Sequence, residues 1–245
     1  MDPKKNKLQN GFSLIELLVV VLLLSILVGA VFSQINKAQI RYRVEDQKLD
    51  LTQQERDFID QFTRDLHQAG YPSTTQYGGR FDLSSKQTAA GIWKISPTDL
   101  GMEADVDGDG VVDEIAYHYD DGSTWAGPGP NPCPCLRRSS SAKVDGQMPW
   151  NQPAPVYYTQ VQNIIPLPAA APVFFQAYDV NENQPLNITG GVTLSNATKT
   201  DPTFQFLQNI KNVRITFTTQ GKSRDPEGNK SVQVTMTGMA RLPNN

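Results

Sequence analysis

The pattern of apolar and polar positions changes character twice along the chain. From Phe12 to Phe32 (FSLIELLVVVLLLSILVGAVF) every position is apolar except two serines, one glycine and a single carboxylate, Glu16. At a helical rise of about 1.5 Å per residue the run spans roughly 32 Å, enough for the hydrocarbon core of a bilayer. Beyond Phe32 the helical pattern continues without a break but becomes one-sided. Leu51, Phe58, Phe62 and Leu66, with Ile59 beside them, line one face of a helix. Between Ser33 and Leu49 apolar residues are sparse and charges mixed, which suits a solvated or partner-facing stretch. Gly70 can take the left-handed cap position and Pro72 forbids continuation. The pattern therefore predicts one helix from about Ser13 to about Gln68, on the order of 80 Å long.

After Gly70 the period drops to two. Short strand candidates occur at Ile92–Ile95, at Ile115, Tyr117 and Tyr119, at Val156–Val161 and at Val173–Tyr178. Longer ones follow at Ile210–Thr219 and Ser231–Leu242, with turns at Asn183-Gln-Pro and Asp225-Pro-Glu-Gly. Val213, Ile215 and Phe217 alternate with polar residues, as do Val232, Val234 and Met236, predicting an antiparallel pair whose buried face meets the Phe58, Phe62, Leu66 stripe. Tyr71–Leu100 otherwise reads as a connection, and Asp121–Ala171 as loop apart from the strand candidate inside it. The expected fold is α+β: a long N-terminal helix, apolar in its first half and amphipathic in its second, packed on an antiparallel β-sheet. The expected division is a short polar stretch at 1–11, a helix of membrane-spanning length at 12–32, its amphipathic continuation at 33–70 and a β-rich head with long loops at 71–245.

Composition narrows the function classes. The 245 residues carry 22 basic and 25 acidic side chains, a formal net charge of −3. No strong field points to nucleic acid. No Ser-His-Asp arrangement, phosphate loop or paired-carboxylate cleft is evident, so no enzyme is indicated. Lys4, Lys5 and Lys7 ahead of the apolar run favour an N-terminus kept in the cytoplasm, with Arg41 and Arg43 on the far side weakening the asymmetry. A removable signal peptide fits poorly, because the apolar run is too long and the helix continues past Val28-Gly29-Ala30.

Two further stretches carry candidate chemistry. Asp105, Asp107, Asp109 and Asp113 stand at positions one, three, five and nine of a calcium-loop pattern, with Gly110 at six and the Val111 carbonyl at seven. Position twelve is Ala116 rather than a bidentate glutamate, and a strand pattern follows instead of a helix. An Asp/Gly hairpin turn has the same appearance, so metal binding and a plain turn both stand, with Ca²⁺ the ion that hard oxygen ligands favour. Cys133 and Cys135 flank one proline; a strained disulfide, a reactive dithiol and plain loop thiols remain open. A zinc site at this pair would need two more ligands, and His67 and His118 are the only histidines.

A basic leader ending in Gly11, followed by Phe12-Ser-Leu-Ile-Glu16 and an unbroken apolar helix, resembles the N-terminus of the type IV pilin superfamily. The resemblance implies cleavage by a prepilin peptidase between Gly11 and Phe12 on the cytoplasmic side, with methylation of the new N-terminal residue. It implies too that Glu16 is the acid that sets helix register during assembly. The physical chemistry agrees: a carboxylate in a spanning helix costs roughly 2.5–3.5 kcal/mol at the bilayer centre, and cleavage creates an ammonium four residues away. Asp65-Leu-His-Gln-Ala-Gly-Tyr71, Phe175-Gln-Ala-Tyr-Asp and the last two strand candidates are similar to the PilW-type minor pilins.

The implied function is a minor subunit of a type IV pilus, held in the bacterial inner membrane and then in an extracellular fibre. Its implied partners are other major and minor pilins, the prepilin peptidase and the assembly platform. A type II secretion pseudopilin would share this N-terminus. A membrane-anchored Ca²⁺-binding adhesin or carbohydrate-active module, using the Asp105–Asp113 loop, is the alternative of another class.

Overall fold

The computed structural model describes residues 13–73, 82–123, 132–165, 174–182, 184–196, 198–224 and 231–243. Its first element is a single helix, α1 (Leu14–Gln68). It stops where the sequence says it should: Gly70 adopts φ 78°, a left-handed conformation open to a residue without Cβ, and the Tyr71–Pro72 peptide is cis. The helix exit is tied down by the Gly70 amide donating to the Glu103 carbonyl and the Asp105 amide donating to the Tyr71 carbonyl, both at 2.9 Å.

The strands are β1 (Gly91–Ile95), β2 (Asp99–Ala104), β3 (Asp113–Asp121), β4 (Pro134–Ala142), β5 (Tyr158–Val161), β6 (Phe175–Tyr178) and β7 (Val192–Thr193). After a short helix, α2 (Pro202–Gln208), come β8 (Asn212–Arg224) and β9 (Ser231–Arg241). They form two antiparallel sheets, a six-stranded one in the order β5-β4-β3-β2-β1-β7 and a three-stranded one in the order β6-β8-β9. The sequence anticipates a long apolar-then-amphipathic helix on antiparallel β-structure, and this is the architecture, with the strands divided between two sheets.

Four elements depart from the sequence reading, the shortest being the two-residue β7. Asp99–Ala104 is a strand rather than the end of a connection, and Pro202–Gln208 is a helix that Asp201 caps by accepting from the Thr203 and Phe204 amides. The fourth is β4, inside the stretch read as loop: it pairs with β3 from Asp113↔Ala142 to Asp121↔Pro134. Its Arg138 faces α1 and is paired with Asp65, and its Arg137 is buried on the opposite face against Asp120, so the strand has no apolar alternation to read. The predicted Asp225-Pro-Glu-Gly turn lies outside the described residues.

The second half of α1 supplies the core. Phe58, Phe62 and Leu66 are buried, and the Phe62 ring lies 5.3 Å from Tyr117 of β3 and 6.1 Å from Phe175 of β6 by centroid. Phe58 meets Tyr117 edge-on at 5.9 Å and Phe217 of β8 at 5.6 Å. One aromatic stripe thus joins both sheets. On β9, Val232, Val234 and Met236 are only half-buried, because the close contact there falls at Gly238: a Cβ would stand 2.7 Å from the Cδ1 of Ile59.

Under the helix lies one acid without a countercharge. Glu55 is fully buried; it accepts from the Thr219 hydroxyl, and its other oxygen has no hydrogen-bond partner among the described residues. Burial raises its pKa above the ordinary carboxylate value, with the Thr219 hydrogen bond offsetting part of that shift. A group with a raised folded-state pKa binds more protons folded than unfolded, so its contribution to stability is lost as pH rises from its unfolded pKa near 4.5 through the folded one. Glu55→Gln keeps an acceptor for Thr219 and removes the titration. The variant should therefore gain Tm relative to wild type progressively as pH rises above about 4.5. A pH-independent difference in melting point would show that Glu55 ionises freely in the folded chain.

Candidate functional site

Consecutive Leu, Ile and Val cannot hide one another on a single helix, and α1 leaves them bare. Every residue from Leu14 to Phe32 is exposed, Leu22 at 59% and Phe32 at 67%. Fully burying one such side chain is worth about 1.5–3 kcal/mol, so the run stakes on the order of tens of kcal/mol on finding an apolar surrounding. By length and composition it is a helix able to cross a membrane. The same stretch is regular because a helix satisfies its own backbone polar groups without water, despite its many β-branched residues.

Glu16 stands in the first turn of this helix, exposed, and its carboxylate has no partner among the described residues. Its backbone amide donates to the Ser13 carbonyl at 3.0 Å. Gly11 and Phe12, the predicted processing residues, lie outside the described residues. Contact between α1 and the sheets begins further on: Gln47 lies against Gly221 of β8, and Leu51 is the first buried apolar residue.

The Asp-rich loop connects β2 to β3. The Asp105 carboxylate accepts from the amides of Gly108 (2.8 Å) and Gly110 (3.1 Å), and Asp107 and Asp109 each accept from the amide two residues on. These bonds fold the loop so that carboxylate oxygens of Asp105, Asp107 and Asp109 lie within 4.8 Å of one another. Asp113 opens β3, and its carboxylate accepts from the Val106 amide. Burial raises its pKa; repulsion from Asp107, Asp109 and Asp105 adds to this against that hydrogen bond. The loop also carries the position-seven residue, Val111.

Cys133 and Cys135 are joined as a disulfide, one of the three states open from the sequence, so neither sulfur is available as a thiolate. The bridge adjoins a buried ion pair: Asp120 accepts from Arg137 Nη2 at 2.7 Å and from the Cys133 amide at 3.3 Å. His67 is exposed and His118 Nδ1 lies 3.0 Å from Asp99, so the structure gathers no histidine with the cysteines.

A second polar cluster has no trace in local spacing. Asp65 accepts from Tyr117 Oη (2.6 Å), Arg138 Nε (2.7 Å) and Gln61 Nε2 (2.6 Å), locking the last turns of α1 to β3 and β4. Burial, with the Asp65 charge beside it, pushes the Tyr117 phenol well above its ordinary pKa. The carboxylate is thus fixed as a structural acceptor.

Comparison with known proteins bears on the first of these features. Residues 6–32 match the family described as the prokaryotic N-terminal methylation motif. No curated protein and no solved structure matches the chain. The matched stretch spans Gly11, Phe12, Glu16 and the whole exposed apolar run. The chain therefore carries the N-terminal signature of a type IV pilin-like or pseudopilin-like prepilin, a class of structural subunits that a prepilin peptidase processes and that assemble with other pilins.

Proposed function

We propose that the chain is a minor type IV pilin of the PilW type, cleaved after Gly11 and assembled through its apolar half-helix. The observation that carries this reading is the division of α1: one half is clamped between two sheets, and the other is bare, apolar and continuous with the methylation motif. In the inner membrane, lipid covers residues 12–32, with the N-terminus in the cytoplasm and the sheets on the far side. In the fibre, the helices of other pilins cover the same surface, and Glu16 pairs with the ammonium that cleavage creates. Partners in this scheme are the prepilin peptidase, the assembly platform and other major and minor pilins.

The test is the intact mass of the mature chain. We expect a species beginning at Phe12 and heavier by one methyl group; a chain beginning at Met1 or near Val31 would sink the proposal. Deletion of the gene separates a pilin from a type II secretion pseudopilin: loss of surface pili supports the former and loss of exoprotein release the latter.

The Asp105–Asp113 loop supports a Ca²⁺ site, because three carboxylates converge there with no cation among the described residues to neutralise them. Asp105, Asp107, Asp109, Asp113 and the Val111 carbonyl would hold the ion and rigidify the β2–β3 connection. Chelator should lower Tm in the wild type by several degrees and leave Asp107→Ala unchanged. Equal melting with and without Ca²⁺ in the wild type would remove the site.

A further inference from the structure

The outer face of the six-stranded sheet, turned away from α1, carries a cavity of about 410 Å³. That volume falls in the range of small-ligand sites, roughly 300–1,000 Å³. Strand register sets its axis. Asp99↔His118, Gly101↔Ala116 and Glu103↔Glu114 are successive same-face pairs on β2 and β3, so from His118 to Glu114 the floor extends about 13 Å. Its middle is Gly101 and Ala116, where side chains are smallest. Gly101 permits the Trp93 indole to lie against the sheet: a Cβ there would stand 2.8 Å from the ring.

The roof is the segment from Pro149 to Tyr157. Gln152 holds it in place, accepting from the Val144 amide at 2.8 Å and donating to the Gln147 carbonyl at 3.0 Å. Trp150 and Tyr157 come from this strap, and the Tyr157 ring lies 5.7 Å from that of His118.

The charges at the two ends differ in kind. At one end Asp99 is matched, with Lys94 Nζ at 3.3 Å and His118 Nδ1 at 3.0 Å. At the other, Glu114 is 95% buried by its 5% relative exposure, lines the cavity, and has no hydrogen-bond or ion-pair partner among the described residues. The nearby Lys143 ammonium hydrogen-bonds Glu103 at 2.8 Å and the Thr88 carbonyl at 3.0 Å; its charge offsets part of that on Glu114 through space without an ion-pair contact, and the charge of Glu103 opposes it. A buried carboxyl without a partner is costly, and native proteins retain such groups where they have a use.

We infer that this cavity binds an organic cation, an alkylammonium on a short apolar stem, with the ammonium at Glu114 and the stem between the Gly101–Ala116 floor and the Trp93, Trp150 and Tyr157 rings. An ammonium gives Glu114 a charge-assisted hydrogen bond, and aromatic faces attract cations in a site shielded from water. An anion would meet Glu114 unfavourably, and a purely apolar ligand would leave it unpartnered. The cation can come from a free amine or from a lysine side chain of a protein; the recognition chemistry is the same.

Calorimetric titration of the detergent-solubilised full chain decides the matter, with tryptophan fluorescence as a second readout. The probes are n-butylammonium against n-butanol, and Nα-acetyl-lysine N-methylamide against its norleucine counterpart. Each cation should bind saturably and about tenfold or more tightly than its neutral partner. The tighter of the two cations identifies the source. Glu114→Gln and Trp150→Ala should each weaken binding by about tenfold, whereas Asp107→Ala should not affect it. Glu114→Gln should keep the wild-type Tm or exceed it; should that variant fail to fold, Trp150→Ala carries the test. Equal affinity for neutral and charged probes, no binding of either cation, unchanged affinity in both variants, or a preference for methyl glucoside over the amines would each overturn the inference.

Discussion

Phe62→Ala is expected to lower the unfolding free energy by about 3–5 kcal/mol, the range for removing a fully buried aromatic side chain. Its ring touches Phe58 on its own helix, Tyr117 of the large sheet and Phe175 of the small one, so no single neighbour can close the gap. A cavity at that junction loosens both sheets from α1 together. Denaturant unfolding of the detergent-solubilised chain, followed by near-ultraviolet circular dichroism, measures the loss. A change below about 1 kcal/mol would mean that the two sheets hold together without the helix.

Lys143→Met is expected to cost a similar amount by a different route. Lys143 and Glu103 are both fully buried and 2.8 Å apart, and Glu103 also accepts from the Ala90 amide at 2.8 Å. Removing the lysine alone leaves a buried carboxylate without a counterion, at a cost of about 3–5 kcal/mol. Burial already raises the Glu103 pKa, with the Lys143 charge opposing it, so the single variant should take up a proton on folding and melt higher as pH falls. Pairing Lys143→Met with Glu103→Gln should recover half or more of the loss, because the second change removes the stranded charge. Strictly additive losses in the double variant would show that the two groups do not act as a pair.

The contrast between these two sites explains what was legible in the sequence. Phe58, Phe62 and Leu66 stand at helical spacing, and Val213, Ile215 and Phe217 at strand spacing. Local periodicity was therefore enough to place α1, β8 and the contact between them. The strand β4 was illegible because its inward residues include Arg138 and its outer face Arg137, each made compatible with burial by an acid distant in sequence, Asp65 or Asp120. Glu103 and Lys143 likewise answer one another across 40 residues. Long-range charge pairing leaves no period to detect. The cavity roof was hidden for a related reason: Pro149–Tyr157 has neither alternation nor helical spacing, and it acquires a shape only through the Gln152 hydrogen bonds to Val144 and Gln147. The Asp loop was readable as a pattern of ligand types, whereas the disulfide could be decided only from the fold.

The bare and clamped halves of α1 are separated by a stretch that belongs to neither. From Phe32, the last residue of the apolar run, to Gln47, which lies against Gly221, the helix advances roughly 22 Å along its axis. The Debye length in physiological salt is only about 8 Å. With the apolar run in a bilayer, a helix standing upright therefore holds the sheets beyond the electrostatic reach of lipid headgroups. Acidic features of the head, such as the Asp105–Asp113 loop, can then accumulate negative charge without being repelled by an anionic leaflet. Surface charge on the head is then free to vary independently of the charge on such a bilayer.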